Sequence, residues 1–218
     1  MNVDKRYRYV YKPLVFIASL SPIVWLFMAG FEVAGQSLGP DPIKLTLHTI
    51  GKTALNFIML TLLVTPVRQL TGFTHLLRLR RMLGLFAFFY TLLHFVVYIW
   101  LDQELDFAGL GKDIVKRPYI TIGFLALLLL IPLALTSTNK MMRRLGRRWQ
   151  KLHRLVYIIA ILGVWHYYWQ VKRDVTEPLI YAAVLALLLG YRVVHARRKA
   201  HPPAATSKSA PSTAPERT

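Results

Sequence analysis

Three histidines set in apolar surroundings pose the chemical question of this chain. His94 is the one histidine in a charge-free run of 20 residues, 82–101, and His166 lies near the aromatic end of the stretch WQKLHRLVYIIAILGVWHYYW (149–169), whose basic end carries His153. An imidazole in hydrocarbon is costly and seldom faces lipid, so each ring asks for a partner inside the protein. His94 stands seven residues before Leu101 and His166 five before Val171. At about 1.5 Å per residue, both lie roughly 8 to 11 Å from the same end of their helices, in one layer. The chain has no cysteine. Disulfides, iron–sulfur clusters, thiolate-ligated iron and covalently attached c-type haem are therefore excluded, and any haem must be held by histidine or methionine. Two imidazoles at equal depth on different helices suit the two axial positions of a low-spin b-type haem, a carrier of single electrons with no open coordination site. The same placement also fits two hydrogen-bonded bundle histidines beside a water-filled path.

His153 precedes His166 by 13 residues, about 20 Å along a helix, where a second haem would continue a path across the membrane. Two observations oppose this. On an ideal helix the two side chains point some 140° apart, so a shared face needs a break or a bulge. The matching layer before His94 holds Arg81 and Arg80 in place of a histidine. An arginine does not ligate iron but pairs with a haem propionate or a flavin phosphate. His75 is a substitute ligand from the preceding loop, and the plain alternative for His153 is an interfacial residue beside a lipid headgroup.

Elements that position these residues follow from hydropathy. Of 218 residues 55% are hydrophobic and 17% charged, and the apolar residues gather into blocks of bilayer-spanning length. Spans are expected at 13–31, 45–66, 82–101, 118–135, 153–171 and 178–194. The second carries His48, Lys52, Thr53, Asn56, Thr61 and Thr65, a polar stripe that must face protein. The expected fold class is all-α: a polytopic six-transmembrane-helix bundle over 13–194, a basic arm at 1–12 and a disordered tail at 195–218. The first apolar run is too long for the core of a typical signal peptide, and five more spans follow it.

A formal charge of +18 raises the question of nucleic acid. The basic residues, however, sit between alternate apolar blocks, the distribution that sets membrane orientation. With both termini in the cytoplasm, 21 of the 28 lysines and arginines fall inside and eight of the ten acids fall outside. His94 and His166 then share the outer half of the membrane. No stretch between spans is long enough for a nucleotide-binding domain, and no G-x-G-x-x-G follows a predicted strand, so electrons must come from membrane quinol or a separate cytoplasmic flavin reductase. Trp149, Trp165, Tyr167, Tyr168 and Trp169 read as interface anchors. A non-redox reading also stands: a small membrane transporter moving protons along His48, Lys52 and His166.

Motifs in order add a resemblance. GKTAL (51–55), RRMLG (80–84), His94, RPYITIG (117–123), LTST (135–138), LGRRWQKLH (145–153) and His166 together resemble the MsrQ family, formerly YedZ, within the ferric reductase-like transmembrane superfamily. The resemblance implies a bacterial inner-membrane haem protein that passes electrons to MsrP, a periplasmic molybdopterin enzyme that repairs methionine sulfoxide in oxidised proteins. By the same resemblance His94, His153 and His166 are the haem-associated histidines and FMN is a further cofactor. No substrate chemistry of its own is expected of such a subunit, and a quinol-fed ferric reductase is the neighbouring reading. The superfamily's paired histidines on both helices are absent here, since the third helix has one.

Overall fold

A computed structural model describes residues 6–73, 76–171 and 174–200. Among the described residues every regular element is helical. Lys12–Gly30 forms α1, entered through a wide π-turn at Tyr7–Tyr11 and carrying Pro13 in its first turn, where a missing N–H costs nothing. It ends in a tight turn with Glu32 and Ala34 at positive φ. Helix α2, Pro42–Thr71, starts under the Asp41 side chain, which accepts from the Lys44 N–H at 3.1 Å, and stops at Gly72 with φ 75°. Its 30 residues span about 45 Å, well beyond the roughly 30 Å hydrocarbon layer.

Helix α3, Leu76–Val97, runs into a π-turn at Tyr98–Asp102. The acidic segment after it, expected as loop, contains the short amphipathic helix α4, Phe107–Lys116. Asp106 caps it, accepting from the Ala108 and Gly109 N–H groups at 3.0 and 2.9 Å. Pro118 opens α5, Pro118–Leu135. The basic segment after it folds into α6, Asn139–Leu145, and α7, Arg147–Leu152. Thr138 caps the first of these, and Gly146 at φ 51° separates the two. Helix α8 is Leu155–Gln170 and α9 is Thr176–Ala200.

Two differences from expectation bear on the site. The stretch 149–169 is not one helix: it breaks at His153 and Arg154, between α7 and α8. This removes the fixed 140° relation between His153 and His166. Helix α9 also continues to Ala200, so six residues of the tail expected to be disordered are helical, and the remainder of that tail lies outside the described residues. Among the described residues five helices are long and apolar enough to cross a membrane: Tyr7–Gly30, Pro42–Thr71, Leu76–Asp102, Pro118–Leu135 and Thr176–Arg198. With its 16 residues, about 24 Å, α8 is shorter than they are.

Helix α2 is the most enclosed of the long helices. It packs on α1, α3, α8 and α9. The expected polar stripe is accommodated as burial requires: the Thr53 and Thr61 hydroxyls donate to the Thr49 and Phe57 carbonyls, each at 2.7 Å, within their own helix. Tyr90, Leu62 and Ile159 are fully buried. Tyr90 stacks on Phe57 at 5.4 Å and donates to the Ser19 carbonyl at 2.6 Å, joining α1, α2 and α3. Helices α2, α3, α5 and α8 touch in sequence and close a ring, α2 on α3, α3 on α5, α5 on α8 and α8 on α2. The interior of that ring is the functional candidate.

Candidate haem site

A cavity of about 970 Å³ opens within the ring, with His94 and His166 on its wall. The volume is at the upper end of the roughly 300–1,000 Å³ usual for cofactor pockets and is sufficient for a porphyrin. The two rings lie 6.1 Å apart, centre to centre, with their planes at 83°. Each is fixed by a neighbouring helix. His94 Nδ1 donates to the Leu47 carbonyl of α2 at 3.0 Å, and His166 Nδ1 donates to the Tyr119 carbonyl of α5 at 2.7 Å. A neutral imidazole has one N–H, so spending it at Nδ1 leaves the Nε2 lone pair as the free donor to a metal. The carbonyl also fixes ring orientation, the usual arrangement behind a metal-ligating histidine.

The spacing is a fit test. Two imidazoles on opposite sides of one metal, each bonded at about 2.0 Å and each with its centre about 1.1 Å further out, stand about 6 Å apart. The observed separation meets this before any group is placed between the rings. Ordinary edge contact between aromatic rings also falls at such distances. The cavity and the carbonyl-fixed Nδ1 atoms are what distinguish the pair from simple packing.

The cavity is also lined by charged residues, among them Lys44, Lys52, Arg117, Asp41 and Asp174. Lys52 Nζ donates to Glu177 at 2.7 Å, and Tyr167 donates to the same carboxylate. Gln170 Nε2 donates to His48 Nε2 at 2.8 Å. The three residues of the proton-path reading, His48, Lys52 and His166, thus line the same cavity. Sequence reasoning missed Gln170, Glu177 and Tyr119. Glu177 carried a signal, being an acid immediately before the proline that starts the last span, whereas a backbone carbonyl leaves none.

The layer of His153 is arranged differently. His153 ends α7, stacks on Trp149 at 3.8 Å, points Nδ1 at the Trp149 carbonyl at 3.1 Å and has Nε2 3.5 Å from the Ser137 hydroxyl. It is not on the cavity wall. Arg81 donates to the Asn139 side chain and lies 3.4 Å from the Met142 sulfur, tying α3 to α6. Arg80 engages the Tyr157 phenol. That phenol also accepts from Arg192 at 2.8 Å, and Arg192 further donates to the Leu62 carbonyl at 2.6 Å. The structure therefore brings His94 and His166 together and leaves His153, Arg80 and Arg81 in a separate layer. His75 lies outside the described residues.

Known proteins resemble the chain along most of its length. Residues 50–164 match the family of the ferric reductase like transmembrane component. A Rhodospirillum rubrum protein named protein-methionine-sulfoxide reductase heme-binding subunit MsrQ is 53% identical over 186 residues, 85% of this chain and 88% of that protein. The chain belongs to the MsrQ family. The MsrQ of Xanthomonas campestris pv. campestris strain 8004 is 48% identical over 204 residues, 88% of this chain and 94% of its own length. That of Xanthomonas oryzae pv. oryzae strain MAFF 311018 is 47% identical over 210 residues. The family match includes the four helices around the cavity in whole or part, and with them both His94 and residues 155–164 of α8. It stops at Val164, two residues before His166.

Proposed function

We propose that this MsrQ-family chain is the haem-binding, electron-carrying membrane subunit of a methionine sulfoxide reductase system, with one b-type haem held between His94 and His166. The observation that carries the reading is the pair of imidazoles 6.1 Å apart on one cavity, each fixed through Nδ1 to a carbonyl of a neighbouring helix. Held there by His94 and His166, haem would supply reversible one-electron chemistry. The chain does the rest. The Leu47 and Tyr119 carbonyls hold the rings in one tautomer and orientation, Leu55, Leu127 and Leu130 line an apolar wall, and Lys44, Lys52 and Arg117 are the cations suited to propionates.

The proposed topology has six spans, α8 included, with both termini cytoplasmic in a bacterial inner membrane; the lysine and arginine distribution supports it. It puts His94 and His166 near the periplasmic side. The electron acceptor is then a periplasmic MsrP-like molybdoenzyme that reduces methionine sulfoxide in oxidised proteins. The donor is quinol or a cytoplasmic flavin reductase. FMN, carried over from the family resemblance, would have its phosphate met by the inner arginines, Arg80 and Arg81 foremost, and His153 would face the same layer. No substrate is transformed by this chain itself.

The test uses purified protein in sealed vesicles, chemically reduced under anaerobic conditions. A periplasmic methionine sulfoxide reductase supplied with an oxidised protein should reoxidise the haem. Reoxidation by ferric chelate alone would favour the ferric reductase reading, and a folded, colourless protein from haem-replete cells would favour the transporter. Because the chain has no cysteine, single cysteines at Gln103 and Lys140 test the topology cleanly. The first should label from outside the cell, the second only from inside.

A further inference from the structure

Two glycines stand where the two histidines meet their neighbouring helices. A Cβ at Gly51 would lie 3.2 Å from both Nδ1 and Cε1 of His94, and a Cβ at Gly123 would lie 2.7 Å from Nδ1 and 2.8 Å from Cε1 of His166. Other glycines inside the long helices do not share this. Gly84 and Gly190 face open space, and Gly163 meets the Leu55 side chain. Glycine is disfavoured inside a helix, so its presence at these two contacts calls for a reason.

Helix geometry supplies one. Helical side chains lean toward the N-terminus, so the side chain at position i+4 covers the turn that presents the carbonyl of residue i. Gly51 is four residues after Leu47 and Gly123 four after Tyr119, the residues whose carbonyls accept from His94 and His166. Each glycine uncovers the carbonyl that its histidine uses. That carbonyl also serves its own helix, and with no side chain covering it an imidazole ring can lie close against its second lone pair.

The coincidence is twofold, with one offset. Leu47 and Tyr119, Gly51 and Gly123, and His94 and His166 are each separated by 72 residues. The surrounding sequence repeats at the same offset: TIGKTAL at 49–55 and TIGFLAL at 121–127 agree at Thr, Ile, Gly, Ala and Leu. We infer that Gly51 and Gly123 are a matched pair of positioning residues, and that the site is built from two copies of one unit, α2 with α3 and α5 with α8. Each copy presents one histidine through a glycine-uncovered carbonyl. The inference rests on the haem reading for its ligand, but the ring contacts themselves stand without it.

Gly123→Ala and Gly51→Ala, with Gly84→Ala as the control, test the pairing. The readouts are haem per chain, the low-temperature electron paramagnetic resonance spectrum and the reduction midpoint. Gly123→Ala, with the closer contact, should lose the low-spin signature and retain haem about ten- to hundredfold less firmly. Gly51→Ala should keep haem with altered g-values and a shifted midpoint, and Gly84→Ala should match wild type. Folded Gly51→Ala and Gly123→Ala proteins with wild-type spectra and midpoints would overturn the inference. If Gly123→Ala does not fold, the spectrum and midpoint of the milder Gly51→Ala decide. Side-chain 15N shifts of histidine-labelled protein separate the two readings, since they report the tautomer with or without haem. A colourless wild type sinks the haem proposal alone. Nδ1–H signals for His94 and His166 that do not respond to either alanine sink the glycine inference.

Discussion

Two layers of one bundle hold histidines, and they are built on opposite plans. In one layer His94 and His166 reach across to carbonyls of other helices, and the space between α2, α3, α5 and α8 is left as a cavity. In the other layer His153 turns to its own turn of helix and stacks on Trp149, while Arg192 donates to Tyr157 and Leu62 and ties α9 to α8 and α2. The lesson is that a histidine inside an apolar segment does not mark a ligand by itself. What separates the layers is which helix takes the Nδ1 proton and whether the other nitrogen has room for a metal.

Substitutions can break this contrast or sharpen it. The largest effect is expected at the paired histidines: His94→Ala or His166→Ala should each lower haem per purified chain by about ten- to hundredfold, read by pyridine haemochrome assay. Retention of a full complement in both variants would break the comparison. Arg192→Met comes next, because it removes charged hydrogen bonds to Leu62 and Tyr157 that join α9 to α2 and α8. Each such bond is worth about 1.5–3 kcal/mol, so the thermal midpoint in detergent should fall clearly while the haem spectrum stays unchanged. Tyr90→Phe removes one buried neutral bond to Ser19, and a loss of about 1 kcal/mol is expected from the same measurement.

The smallest effect on the spectrum is expected from His153→Ala. With no facing histidine in its layer among the described residues and both ring nitrogens near Trp149 and Ser137, its loss should leave haem per chain and the low-spin signal as in wild type. Loss of half the haem would instead place a second one at the layer of His153. The comparison would then be one of two sites, not of a site and a clamp.

Much of this was legible in the amino-acid order because hydrocarbon is an unforgiving solvent. Apolar blocks, the charge bias and equal helix depth placed His94 and His166 in one layer, and the structure sets their rings side by side. The illegible parts are those that no period or charge announces. The helix break at His153 and Arg154 contains neither proline nor glycine. Helix α4 is ten residues long and hidden among acids. The bonds to Leu47 and Tyr119 use backbone, which every residue has, and it takes the packing of α2 on α3 and of α5 on α8 to show that Gly51 and Gly123 uncover those two carbonyls.

The central claim is that two imidazoles from separate helices share one iron. Low-temperature electron paramagnetic resonance of the oxidised, purified wild-type protein, with iron and haem counted per chain, tests it most directly. The account predicts one haem per chain with a low-spin bis-imidazole signal. A five-coordinate high-spin signal as the main species, or a folded protein carrying no haem, would contradict it.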